Sequence, residues 1–120
     1  MNTHAFDWAE TLKKYRGNEN IAAEMTTAFF AELSNAQKTI NTVFAQKNPK
    51  KLYETLHKLY GGCCFIAASE LKAVLRKFCD ATHHCQQEEV ENFRFLLDDF
   101  NAAYINLIVE QKDFQKNASA

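Results

Sequence analysis

The chain has 120 residues, 47% of them apolar, and carries 15 acidic against 14 basic side chains with only three glycines and one proline. So few turn residues leave little punctuation for an all-β fold, and the length provides for one domain with one hydrophobic core. A net charge of −1 argues against a nucleic-acid binder, because phosphate recognition needs a basic excess on one face.

The expected elements are helices, and their punctuation counts them. Asp7 is placed to cap a short first helix, Glu10 three residues later completes a capping-box pattern, and Gly17 provides a left-handed stop. Phe6, Trp8 and Leu12 give this segment something to bury. Asn18 then caps a long helix to about Lys47, with Ile21, Met25, Phe29, Leu33, Ala36, Ile40 and Val43 recurring every three or four residues as one buried stripe. Asn48-Pro49 starts a third helix, a cap residue with proline at the first helical position, where its missing N–H costs nothing. Its stripe is Leu52, Leu56, Leu59, Cys63 and Ile66, the spacing of a bundle helix. Ser69 is expected to cap a fourth helix that buries Leu71, Val74, Leu75 and Phe78. After a polar stretch from Thr82 to Glu88, the last helix carries Phe93, Leu97, Phe100, Tyr104, Leu107, Gln111 and Phe114 on one face. Phe30 and Phe95 lie off the main stripes and are expected to pack under the first helix.

Four amphipathic helices with short connections bury their stripes against one another, and the usual solution is all-α: an antiparallel up-down-up-down four-helix bundle, here with a short N-terminal helix. No repeat or linker divides the chain. Residues 1–17 are read as the N-terminal helix segment, 18–116 as the bundle and 117–120 as a frayed tail of a single domain. The longest apolar run, Cys63 to Ala68, is far too short to cross a bilayer, and Met1-Asn2-Thr3-His4 lacks the regions of a signal peptide. The expectation is a cytoplasmic domain, monomeric in isolation, whose four cysteines are free thiols.

A bundle alone does not define a function. The third helix adds a specific feature. At about 100° per residue, His57 points about 140° away from the mean direction of its helix's apolar stripe, so the ring is expected in solvent. Gly61 comes one turn later on the same face and Gly62 follows. Two glycines inside a helix cost roughly 1 kcal/mol each relative to alanine. A chain that otherwise nearly excludes glycine places both beside one exposed histidine, which would leave a flat, backbone-lined approach to the imidazole. The plainer alternative is a surface histidine beside glycines that let a neighbouring helix pack closely.

The segment Leu56-His57-Lys58-Leu59-Tyr60-Gly61-Gly62-Cys63-Cys64-Phe65-Ile66-Ala67-Ala68-Ser69-Glu70-Leu71 resembles the signature of histidine-containing phosphotransfer (HPt) domains. In that signature a histidine is followed by leucine two on, glycine four on and leucine fourteen on. With Phe6-Asp7-Trp8 upstream, the chain looks most like the C-terminal HPt modules of BarA-type tripartite hybrid sensor histidine kinases. It departs from the family pattern at Tyr60, where many members have lysine, and at Ala67, where many have glycine.

The resemblance implies that His57 is the phosphoacceptor of a two-component phosphorelay. Through Nε2 it would take a phosphoryl group from a receiver-domain aspartyl phosphate and pass it to another receiver. A solvent-exposed imidazole is largely neutral at pH 7, and the neutral nitrogen is a competent nucleophile toward phosphorus. The expected partners are response-regulator receiver domains, with a sensor kinase in cis as a further candidate. The docking set comprises Tyr53, Lys58, Tyr60, Gly61, Gly62 and Cys64, and Lys50 or Lys58 substitutes for the missing lysine. Arg76 on the fourth helix is an additional cation, more simply read as a solvated arginine. No cofactor is expected on this chain, since the magnesium ion of such pairs belongs to the receiver. There is no ATP-binding motif, so the implied role is a phosphocarrier without kinase activity of its own. Another possibility is a helical adaptor that binds a partner through the same face without phosphorylation.

Cys79, His83, His84 and Cys85 invite a zinc reading, but their spacing matches no standard structural site and no second ligand pair is evident. They are read as a polar connection, and no metal is expected.

Overall fold

The computed structural model describes the backbone of residues 5–119 and the side chains of residues 5–112. The helices are α1 (Trp8–Lys14), α2 (Glu19–Ala45), α3 (Pro49–Gly62), α4 (Ser69–Thr82) and α5 (Arg94–Ser119), with 3-10 segments at Cys63–Phe65 and Gln87–Phe93. The all-α expectation holds. Each of α2 to α5 packs chiefly on its neighbours in sequence and α5 closes back on α2, as short connections require of an antiparallel bundle.

The expected helix starts are made by side chains. The Asp7, Asn18 and Asn48 side chains accept from the backbone N–H of Glu10, Ile21 and Lys51, and Pro49 opens α3. Gly17, at φ +81°, ends the α1 connection in the left-handed region that glycine tolerates. Two start signals fail. Glu10 pairs with Lys13 at 2.9 Å, and the first helix has a one-sided cap. Ser69 is already inside α4, whose cap position is Ala68 with no side-chain bond.

The core is built from Phe44, Phe78, Phe100, Leu33, Ile40, Leu52, Leu56, Leu59, Ile66, Leu71, Leu75 and Leu107, all essentially inaccessible. The α3 stripe is buried throughout, although α3 itself ends at Gly62 and Cys63 and Ile66 continue it from the 3-10 turn and loop. The long helix departs from its predicted stripe at its start. Ile21 is exposed and Met25 half-buried, whereas Ala22, Thr26 and Phe30 are buried. α2 is about 40 Å long and α3 about 21 Å, so the beginning of α2 turns its inner face to α1 instead. Val74, Phe93, Tyr104 and Gln111 are half-buried, and Phe114 lies outside the described side chains. α5 continues to Ser119, past the expected end of the bundle, and Ala120 is outside the described residues.

The first helix is strapped across one end. Glu110 of α5 accepts from the backbone N–H groups of Ala5 and Phe6. Phe6 packs edge-on against Phe30 at 5.8 Å. Phe95 does not join them and is 60% exposed. It sits fifteen residues before Glu110 on α5, about 22 Å along the axis, toward the opposite end of the bundle.

Candidate functional site

Burial of Leu52, Leu56 and Leu59 fixes the rotation of α3 and leaves His57 exposed, as the sequence predicts. Tyr53, one turn earlier, has its ring 5.6 Å from the imidazole. Tyr53 also stacks on His83 at 4.7 Å, and His83 stacks on His84 at 3.8 Å. A row of four rings therefore runs from His57 across to the end of α4.

His57 opens onto a cleft of about 390 Å³ between α3 and α4. Tyr53 and Tyr60 line it from α3, and Arg76, Cys79 and Asp80 from α4, with His83 just past its end. Tyr60 carries the Lys72 ammonium 5.8 Å above its ring, a cation–π contact. Lys58 points away from this cleft, into the groove between α2 and α3 with Glu32 and Glu54. Lys50 lies farther back, beside Tyr53, His84 and Cys85. The structure thus gathers His57, Tyr53 and Tyr60 around one cleft, whose lining includes neither Lys50 nor Lys58.

The two glycines divide the roles that the sequence leaves open between them. Gly61 is exposed, and a Cβ there would meet nothing within 4 Å, so it extends the accessible surface beside His57. Gly62 faces inward, where a Cβ would lie 3.5 Å from the Phe29 ring. Cys64 is exposed in the 3-10 turn. It lies beyond the end of α3 at Gly62, so the helical spacing that orients His57 does not extend to it.

Burial pushes the Cys63 thiol up to about 12, with adjacent Cys64 adding to the effect. Burial likewise lifts Cys79 to about 11, helped by Asp80. Neither presents a thiolate at neutral pH. Among the described residues no three His, Cys, Asp or Glu side chains converge as a metal site requires.

The sequence alone does not bring Asp80 or His83 beside His57, and it makes Arg76 a solvated side chain, whereas all three line the His57 cleft. The available signal was the short α3–α4 connection, which runs the two helices antiparallel and returns residues 76–83 to the level of 53–60.

These features define a helical bundle that holds the His57 imidazole at its surface, beside a cleft lined by aromatic rings and charged side chains. The sequence model of the Hpt domain matches residues 24–108, more than two thirds of the chain. The chain therefore belongs to the Hpt domain family, the phosphotransfer domains of two-component systems. Its fold is similar to the crystal structure of the HPT domain from an Hpt sensor hybrid histidine kinase from Shewanella, with a TM-score of 0.85 and 19% identity. The likeness covers 99% of this chain and 100% of that one. A comparison with curated proteins gave no match. No helix among the described residues is long and apolar enough to cross a membrane.

Proposed function

We propose that His57 carries a phosphoryl group between two receiver domains. The observation that supports this most directly is the exposed imidazole on α3, whose inner stripe is fully buried, with open surface at Gly61 one turn away. In the accepting step the Nε2 lone pair forms a bond to phosphorus as the bond from phosphorus to the aspartyl oxygen breaks, and that electron pair returns to the donor's carboxylate. The onward step reverses these roles at a second receiver. Such loose phosphoryl transfer needs positioning and charge neutralisation more than covalent assistance, and the receiver's acidic pocket brings the magnesium ion. Tyr53, Tyr60, Gly61, Cys64 and Lys58 form the docking face around the histidine, with Lys50 at its margin, and Gly62 lies beneath it against Phe29.

Incubation with a phosphorylated receiver and magnesium is expected to give an acid-labile, alkali-stable phosphate on the wild-type chain. The label disappears in His57→Gln while the circular dichroism spectrum stays helical. A wild-type chain that takes no label from any of several receivers overturns the carrier role in favour of a non-phosphorylated adaptor.

A further inference from the structure

Building on the phosphotransfer reading, we propose that Arg76 of α4, and neither lysine of α3, is the cation that offsets the phosphoryl charge on His57. Two contacts fix the register of the antiparallel α3–α4 pair. Lys72 lies over Tyr60 on one side of His57, and His83 stacks on Tyr53 on the other. Between these rungs α4 places Arg76, Cys79 and Asp80 at the level of the imidazole, and all three line its cleft. Cys79 is buried, so the charges that face His57 here are one guanidinium and one carboxylate.

Arg76 is exposed and makes no ion pair with any carboxylate among the described residues. Its guanidinium is therefore available to a new anion. A phosphoryl group adds up to two negative charges close to Asp80, and a cation must offset both that charge and the carboxylate. Arginine suits the task because its planar fork donates two parallel hydrogen bonds to phosphoryl oxygens. The lysines are poorly placed: Lys58 faces the α2–α3 groove among Glu32 and Glu54, Lys50 lies behind Tyr53, and Lys72 is engaged with Tyr60. The tyrosine at position 60 thus coincides with a transfer of the cationic role to the opposite wall of the cleft.

The first arm of the test requires no receiver. Potassium phosphoramidate phosphorylates accessible histidines: Nε2 bonds to phosphorus, the phosphorus–nitrogen bond of the reagent breaks, and ammonia leaves with the electron pair. Phosphorus NMR then follows the monoanion-to-dianion titration of the phosphoryl group on His57. A neighbouring guanidinium favours the dianion, so Arg76→Gln is expected to raise the midpoint by roughly half a pH unit or more. Arg76→Lys restores part of the difference, and Lys58→Gln and Lys50→Gln leave the midpoint in place. Transfer from a phosphorylated receiver falls about tenfold in Arg76→Gln, the loss expected for one charge-assisted hydrogen bond.

An Arg76→Gln titration that overlays wild type overturns the assignment, as does a shift of the midpoint by Lys58→Gln. A wild-type chain that is phosphorylated by neither donor fails differently, because it overturns the phosphotransfer role itself.

Discussion

The hydroxyl of Thr11 accepts a hydrogen bond from the backbone N–H of Ala67 at 2.9 Å and donates to the Asp7 carbonyl at 2.7 Å. Thr11 is wholly buried, and Ala67 lies in the loop that follows the His57 helix. Asp7 N–H donates to the Ala67 carbonyl, and the Tyr15 hydroxyl donates to that of Phe65. The short first helix is thus a clamp on the segment that ends the site.

Thr11→Val keeps the shape of the side chain but strands the Ala67 N–H, a loss of about 1–3 kcal/mol. Urea unfolding is expected to show that loss, and Thr11→Ser much less of it. Hydrogen exchange in the valine variant should quicken first at residues 61–68. Uniform acceleration across α2 to α5 would show that α1 does not act as a local clamp.

The glycines make opposite predictions. Gly61→Ala adds a methyl group to open space in a helix and is expected to stabilise the fold by roughly 0.5–1 kcal/mol. The same methyl intrudes on the approach to His57, so label uptake from a receiver falls. Gly62→Ala puts its methyl in ordinary contact with Phe29, and receiver transfer should change less than in the Gly61 variant. Thermal melts with paired transfer assays separate the two. A Gly61→Ala chain that is more stable and transfers at the wild-type rate would remove Gly61 from the docking face.

What was legible in the sequence follows from local physics. The Leu52, Leu56 and Leu59 spacing fixed the rotation of α3 and with it the exposure of His57, and Asn18, Asn48 and Pro49 marked helix starts through bonds no more than three residues long. What was not legible depends on long-range register. Helical spacing does not show which end of the bundle Phe95 occupies, because the first helix is seated by Glu110 reaching residues 104 and 105 positions away. Arg76 was read as a solvated side chain, which its exposure supports. Only the α3–α4 pairing shows that it is also level with the histidine.

The cysteines should react in a fixed order. Cys64 is exposed, Cys85 is half-buried with its pKa raised by burial and then by Glu89 and Glu88, and Cys63 and Cys79 are buried with thiols near 12 and 11. The thiolate is the reacting form, so at pH 8 iodoacetamide is expected to add quickly at Cys64 and slowly at Cys85. Cys63 and Cys79 react only in urea. Peptide mass spectrometry reads the order, and early modification of Cys63 would contradict its burial. If Cys64 borders the docking face, its adduct slows phosphoryl uptake from a receiver and leaves uptake from phosphoramidate unchanged.

At the far end of the bundle, Glu91 accepts from Arg94 and, at 3.1 Å, from Lys47, linking the α2–α3 corner to the segment before α5. Hydrogen bonds from Arg94 first and Lys47 second hold its carboxyl down at about 2 from an ordinary 4.5. A carboxyl depressed in the folded state stabilises the fold above its unfolded pKa and loses that contribution as the pH falls through its folded pKa. Glu91→Gln is therefore expected to lower the melting temperature slightly at pH 7. The difference from wild type should shrink between pH 4.5 and pH 2. Because the group is exposed, the effect is small, and 1 M salt should reduce it further. Melting curves of both chains across this range make the comparison. A gap that stays constant down to pH 2 would mean that the glutamate acts through its packing and not through its charge.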